Sequence, residues 1–304
     1  MIIKNIRSQI NDICARRAWN ELANIDTSNI TCFCHLFENS LIPSLEPLRN
    51  WDVSNGTDFS EMFSYCNNIT SLEPLTNWNM KNGRGFNGMF FKCINLTSLE
   101  GLEKWDMSNG VYFNCMFSRC YNLKSIKAVE NWNMGNAMEL QEFLYNCKNL
   151  ESLEPLRYWD VSNAGTIALM FGECEKITSI KPLENWDVSN VYKFRGIFRN
   201  CHIVSLEPLR NWDVGNGQDF VDMFRNLDSI ESLEPLKHWN VSNGKNFSFM
   251  FSGCENIKSL KPISNWSIRK GINFNGMFRI FDNILQEEDI YNWKSMNLWL
   301  TDMF

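Results

Sequence analysis

Ten tryptophans set the scale of this chain. Trp51, Trp78, Trp105, Trp132, Trp159, Trp186, Trp212, Trp239, Trp266 and Trp293 follow one another at 27 residues, with one step of 26 between Trp186 and Trp212. Self-similarity at a fixed period of this length marks a solenoid, in which each unit is too small to bury its own apolar face and must stack on its neighbours. A length of 304 residues would otherwise suggest about two domains. The period makes it one continuous body.

The apolar spacing inside a unit changes, and this places its elements. Phe59, Met62, Phe63 and Cys66 lie at i, i+3, i+4 and i+7, as do Phe247, Met250, Phe251 and Cys254. That spacing predicts a short helix of about ten residues in each unit. Asn67 and Asn68 offer left-handed residues to close it. Ile69-Thr-Ser-Leu72 reads as a short strand, and Glu-Pro-Leu turns the chain because proline fixes φ and removes a donor. The expected fold is therefore an α/β repeat, a solenoid of about ten coils, each a short strand plus a short helix.

Both ends break the pattern. Ile3, Ile6, Ile10 and Ile13 stand at helical spacing among Lys4, Arg7, Arg16 and Arg17, which predicts an amphipathic N-terminal cap over residues 1–24. The solenoid is expected over 25–292, beginning with a degenerate unit in which Ile25 replaces Trp, and a terminal half-repeat over 293–304. Gln286-Glu287-Glu288-Asp289 puts charge where other units carry Leu, as a polar terminal coil requires.

Repetition argues against catalysis. The Asp after Trp (Asp52, Asp106, Asp160, Asp187, Asp213) alternates with Asn79, Asn133, Asn240 and Ser267, so the column reads as an Asx-type turn rather than a calcium ladder. The Asn four residues after Trp and the recurring Ser71, Ser98 and Ser125 column read as hydrogen-bonding scaffold. His35, His202 and His238 share no column. Neither an enzyme constellation nor a cofactor or metal site is expected. Eleven cysteines contain no Cys-x-x-Cys pair, the close spacings being Cys32/Cys34 and Cys115/Cys120. Cys66, Cys93, Cys120, Cys147, Cys174, Cys201 and Cys254 share a column with Leu227 and Phe281, so free, buried thiols are expected.

A net charge of −6 supplies no basic stripe for nucleic acid. No apolar run approaches the ~18 residues of a membrane helix, so no membrane insertion is expected, and the absence of a secretory leader points to the cytoplasm.

Met-Phe-x-x-Cys-x-x-Leu-x-Ser-Leu followed by Trp-Asp-Val-Ser-Asn resembles the BspA-like leucine-rich-repeat family of bacterial and some viral proteins, over roughly residues 25 to 304. The resemblance implies a leucine-rich-repeat-like solenoid, a role in adhesion or host-protein binding, and the cell surface or virion as an alternative location. The expected function is a non-enzymatic scaffold that binds a protein partner through its extended surface; the alternative is an assembly component that stacks through its end coils. Candidate partner-binding residues are those that differ between units and are aromatic or Arg, the types enriched at binding hot spots: Arg84, Phe91, Tyr112, Tyr145, Tyr192, Arg199 and Arg225. The residues leave the oligomeric state open.

Overall fold

In a computed structural model of the chain, residues 2–279 and Met303 are described. Among the described residues, ten coils stack in register. A parallel ladder of single bridges runs Cys32, Asp58, Gly85, Tyr112, Glu139, Thr166, Lys193, Asp219, Asn246, Asn273, each residue paired to the next. The step from Lys193 to Asp219 is one residue short because Cys201-His-Ile-Val-Ser205 lacks one residue of the other units. The chain is a repeat solenoid.

The helix expected in each coil is not there. Residues 59–66 form overlapping turns, with Met62, Ser64 and Cys66 donating to the carbonyls of Phe59, Glu61 and Phe63. The alternate amides, Phe59, Glu61, Phe63 and Tyr65, donate instead to Gly85, Asn87, Met89 and Phe91 of the next coil at 2.7–2.9 Å. An α-helix would turn the donors beyond its first turn inward and leave the stack without this ladder. The sequence spacing could not distinguish the two, because both put Phe59, Met62, Phe63 and Cys66 inward.

Two residues per coil take left-handed φ to make this path. Glu61, Gly88, Cys115, Glu142, Leu169, Gly196, Asp222 and Phe249 occupy one such column; Tyr65, Lys92, Arg119, Asn146, Glu173, Asn200, Asn226 and Gly253 occupy the other. The Asn67-Asn68 pair does not close a helix, since the left-handed residue is Tyr65 and the Asn68 amide donates to Leu41 O of the preceding coil. The strand expected at Ile69–Leu72 is also missing; that segment carries no bridge, the equivalent positions of two later coils are joined by the single bridge Ser98 to Ser125, and Glu73–Leu75 forms a single 3-10 turn. Among the described residues, seven further coils carry the same turn, including Glu154–Leu156 and Glu207–Leu209, with proline in its first positions wherever the sequence has one.

Side chains stitch this other side of the coil. Trp132 Nε1 donates to Leu102 O at 3.1 Å, and Trp51, Trp78, Trp105, Trp159, Trp186, Trp212, Trp239 and Trp266 repeat the bond with the coil before. Asn136 Nδ2 donates to Ser108 O at 2.7 Å, one of a column running from Asn55 to Asn243. Asp52, Asp106 and Asp187 accept the N–H two residues on, the Asx turn read from the sequence, and Ser71 Oγ accepts from Glu73 N ahead of the 3-10 turn.

The core is columnar. Phe33, Phe59, Phe86 and Phe113 stack at 5.2–5.6 Å between centroids, and Trp78, Trp105, Trp132 and Trp159 at 6.3–6.5 Å. Each cysteine of the repeat column is buried and points its thiol at a carbonyl of the preceding coil, as Cys120 does at Phe90 O, 3.2 Å away. Burial pushes the Cys120 thiol up to about 12. The expectation that all cysteines are free needs one correction: Cys32 and Cys34 form a disulfide, because residues i and i+2 of an extended segment point the same way. The other nine are free.

The cap begins with α1, Ile2–Arg16, which buries Ile10 and Ile13 against the first coil, and continues in a 3-10 stretch, Trp19–Asn24. No described helix is long and apolar enough to cross a membrane. Phe281, the acidic stretch 286–289 and the half-repeat from Trp293 lie outside the described residues, apart from Met303, whose carbonyl accepts from Phe278 N at 2.7 Å.

Candidate functional site

The turn runs fix backbone donors by stacking and so leave their outward side chains unconstrained. On this face the seven candidates divide into two columns. Phe91, Tyr145, Arg199 and Arg225 all stand thirteen residues after a Trp, and Arg84, Tyr112 and Tyr192 six or seven after.

The first column is one continuous ridge. Tyr65 meets Phe91 edge-on at 5.3 Å, Lys92 lies over both rings, and Arg119 sits between the rings of Phe91 and Tyr145 at 5.9 and 5.7 Å. Further along, Arg199 pairs with Glu173 at 3.1 Å and Asp222 at 3.6 Å, Arg225 pairs with Asp222 at 3.2 Å, and Arg225 covers Phe249 at 5.4 Å. Exposed cation–π contacts contribute about 0.5–1 kcal/mol each, so the ridge is held in shape by weak contacts. Burial, with the Glu173 carboxylate second, pushes the Tyr145 phenol above its ordinary value. Gly172 gives the Tyr145 ring room, since a Cβ there would lie 3.2 Å from it. Arg119 Nε is buried and meets no hydrogen-bond acceptor among the described residues, although the cation needs one.

The sequence reading missed Tyr65, Lys92, Arg119 and Phe249. They belong to the two left-handed columns, which a helical reading places elsewhere; their signal was a position that accepts Tyr, Lys, Arg, Asn and Glu alike.

The second column forms a shallower feature. Arg84, Val111, Tyr112 and Met138, with Asn109, Asn136 and Asn163, line a groove of about 420 Å³. Met138 is 54% exposed and Tyr112 and Tyr192 are each 41% exposed. Tyr192 lies against Gly165, where a Cβ would come within 2.8 Å of its ring. The structure therefore does not unite the seven residues in one place.

Among the described residues, the three histidines lie on separate coils. His35 Nδ1 bonds Glu38 at 2.8 Å with Glu61 at 3.8 Å, and His202, far along the stack, bonds through Nδ1 to Glu175 O of the adjacent coil. Among the described residues, potential metal ligands come within 4.8 Å of one another in two clusters, His35/Glu38/Glu61 and Cys32/Cys34/Asp58, both on the first coils. The exposed Glu-Arg pairs on the 3-10 turns, such as Glu154 with Arg157 at 2.5 Å, hold the Glu154 carboxyl below its ordinary value. Such pairs are solvent-screened and form no site.

Comparison with known proteins leaves function open. No curated protein matches the chain. Among solved structures, an internalin from Listeria monocytogenes is similar at 16% identity over 75% of this chain and 81% of that one, with a TM-score of 0.20, too low to indicate a shared overall arrangement. A family described as "Mycoplasma protein of unknown function, DUF285" matches three times in tandem, over residues 7–125, 112–233 and 203–304, so that together the matches span nearly the whole chain. The chain belongs to the DUF285 family.

Proposed function

We propose that this chain is a non-enzymatic scaffold, a leucine-rich-repeat-like solenoid that binds a protein partner along the ridge from Tyr65 to Phe249. The observation that carries the reading is the alignment of Tyr65, Phe91, Arg119 and Tyr145 on a face where stacking fixes the backbone and leaves the side chains free. Aromatic and Arg side chains that are already ordered lose little entropy on binding and are the types that dominate interface energy. Resemblance to BspA-like repeats adds adhesion or host-protein binding as the setting.

The test is site-specific photo-crosslinking in the native cell. A crosslinker at Phe91 or Tyr145 is expected to capture the same protein, whereas one at the exposed Tyr158, on the 3-10 side, captures none. The triple change Phe91→Ala, Arg119→Ala and Tyr145→Ala is expected to abolish capture and leave the fold intact. Equal capture at Tyr158, or capture undiminished by the triple change, refutes the assignment.

A further inference from the structure

The first coil departs from the others at the bridge position and two residues on. Later coils carry Asp58 and Ser60, Gly85 and Asn87, or Tyr112 and Asn114 there; the first carries Cys32 and Cys34. Their sulfurs are joined and half-buried at the capped end of the solenoid. From α1, Arg7 Nη2 reaches over the pair, 3.7 Å from Cys34 Sγ and 4.0 Å from Cys32 Sγ. Asp58 completes the cluster, with its Oδ1 accepting from Ser60 N at 2.9 Å.

We propose that Cys32–Cys34 is a reversible thiol–disulfide exchange site, and that its co-reactant is a low-molecular-weight thiol/disulfide couple. A guanidinium beside two sulfurs stabilises the thiolate, which is both the attacking and the leaving form in exchange. The remaining cysteines lack this setting. The seven column thiols are buried and aimed at carbonyls, and Cys115 lies 3.8 Å from the Glu142 carboxylate, which opposes a second negative charge. Burial pushes Cys115 up to about 12. Cys14 has no bonded partner sulfur.

The same three groups, once reduced, could face a soft cation. Arg7 places a fixed positive charge against both sulfurs, and one Asp58 oxygen is already engaged, so the surroundings favour exchange over metal binding.

The chemistry balances with the couple alone. A small thiolate attacks one sulfur of the bridge, forming a mixed disulfide and releasing the other sulfur as a thiolate. A second small thiolate attacks the mixed disulfide through the small molecule's own sulfur. This yields the oxidised small disulfide and frees the second cysteine. Two electrons pass to the protein, and the two cysteine sulfurs take up the two protons that the small thiols gave up. Oxidation is the reverse.

The experiment equilibrates the full-length chain in buffers of varied reduced-to-oxidised glutathione ratio and quenches in acid. Free thiols are then alkylated with one isotopic reagent, and newly reduced thiols with another, before peptide mass spectrometry. The expected result is that Cys32 and Cys34 change state together while Cys14, Cys115 and the column cysteines remain reduced at every ratio. Cys32→Ser is expected to gain one glutathione at Cys34. Arg7→Met, with its α1 signal intact by circular dichroism, is expected to slow alkylation of the reduced pair by ~3- to 10-fold as the thiolate loses its counter-charge. Cys32 and Cys34 free at every ratio would overturn the proposal, as would oxidation spread over the column cysteines. Unchanged alkylation in Arg7→Met would remove the guanidinium from the argument.

Discussion

The two sides of each coil are held together by different means. Along residues 59–66, main-chain donors of one coil reach main-chain acceptors of the next at every second residue, and no particular side chain is required outside. From Ile69 to Trp78 the backbone rarely bridges coils, and the stack depends on the Trp78 indole, the Asn68 amide and the 3-10 turn at Glu73–Leu75. The consequence is visible in the sequence. Trp, Asn and Ser recur where side chains do the stitching. Where the backbone does it, the outward columns range over Tyr, Lys, Arg, Glu and Gly, even at left-handed φ. Variation can be used for recognition on one side and not on the other.

Experiments can break this division, beginning with those of greatest effect. The column thiols close the turn runs of every coil from Cys66 to Cys254 except the one with Leu227, and their ionisation tests how tightly those runs are sealed. Burial raises Cys66, Cys120, Cys174 and Cys254 to about 12 in the fold, against about 8.5 when unfolded. Above the unfolded value the denatured chain binds fewer protons, so the contribution is fully present below about pH 8.5 and is lost as pH rises toward 12. Denaturant midpoints should fall steeply between pH 8 and pH 10.5; a flat profile would mean the thiols are accessible.

On the side-chain-stitched side, Trp132→Ala should cost about 4 kcal/mol through lost burial and cavity formation, measured by urea unfolding. Trp132→Phe should cost about 1–2 kcal/mol, chiefly by leaving Leu102 O without its donor. Gly101 stands where other coils have Pro, at φ +105°, and a Cβ would come 2.4 Å from Leu72 O. Gly101→Ala should therefore cost about 2 kcal/mol. Asn136→Ala should cost about 1 kcal/mol by removing the bond to Ser108 O.

On the backbone-stitched side the sign reverses. Glu142 is a non-glycine residue at φ +57°, in a column that Gly88 and Gly196 also occupy. Glu142→Gly should be neutral or stabilising, by up to about 1 kcal/mol, because the strain of the left-handed conformation is removed. A loss comparable with Asn136→Ala would show that the outer side chains of the turn run do carry the stack.

The sequence made some of this legible and hid the rest for identifiable reasons. The Trp period exposed the coils, and mixed Asp/Asn usage at position 52 and its equivalents exposed the Asx turns. The helix was misread because inward residues at 59, 62, 63 and 66 suit a helix and a run of overlapping turns equally; what separates them is where the amides of 59, 61, 63 and 65 donate, and that is decided by the neighbouring coil. Phe91, Tyr145, Arg199 and Arg225 were legible together, since they share a variable column. Lys92 and Arg119 escaped because their column is defined by a left-handed backbone rather than by residue type. Arg84, Tyr112 and Tyr192 were grouped with the ridge by chemistry alone; Arg84 and Tyr112 line a separate groove, and Tyr192 lies beside Gly165. The Cys32–Cys34 bond lay in a spacing too short for any familiar framework.

Far-UV circular dichroism of the purified chain bears most directly on the stitched-turn coil. With the turn runs non-helical, the described helix is the 15 residues of α1, and ellipticity at 222 nm should be small. A spectrum demanding one helix of about ten residues in every coil, roughly a third of the chain, would contradict the ladder of inter-coil amides and with it the freedom claimed for the ridge.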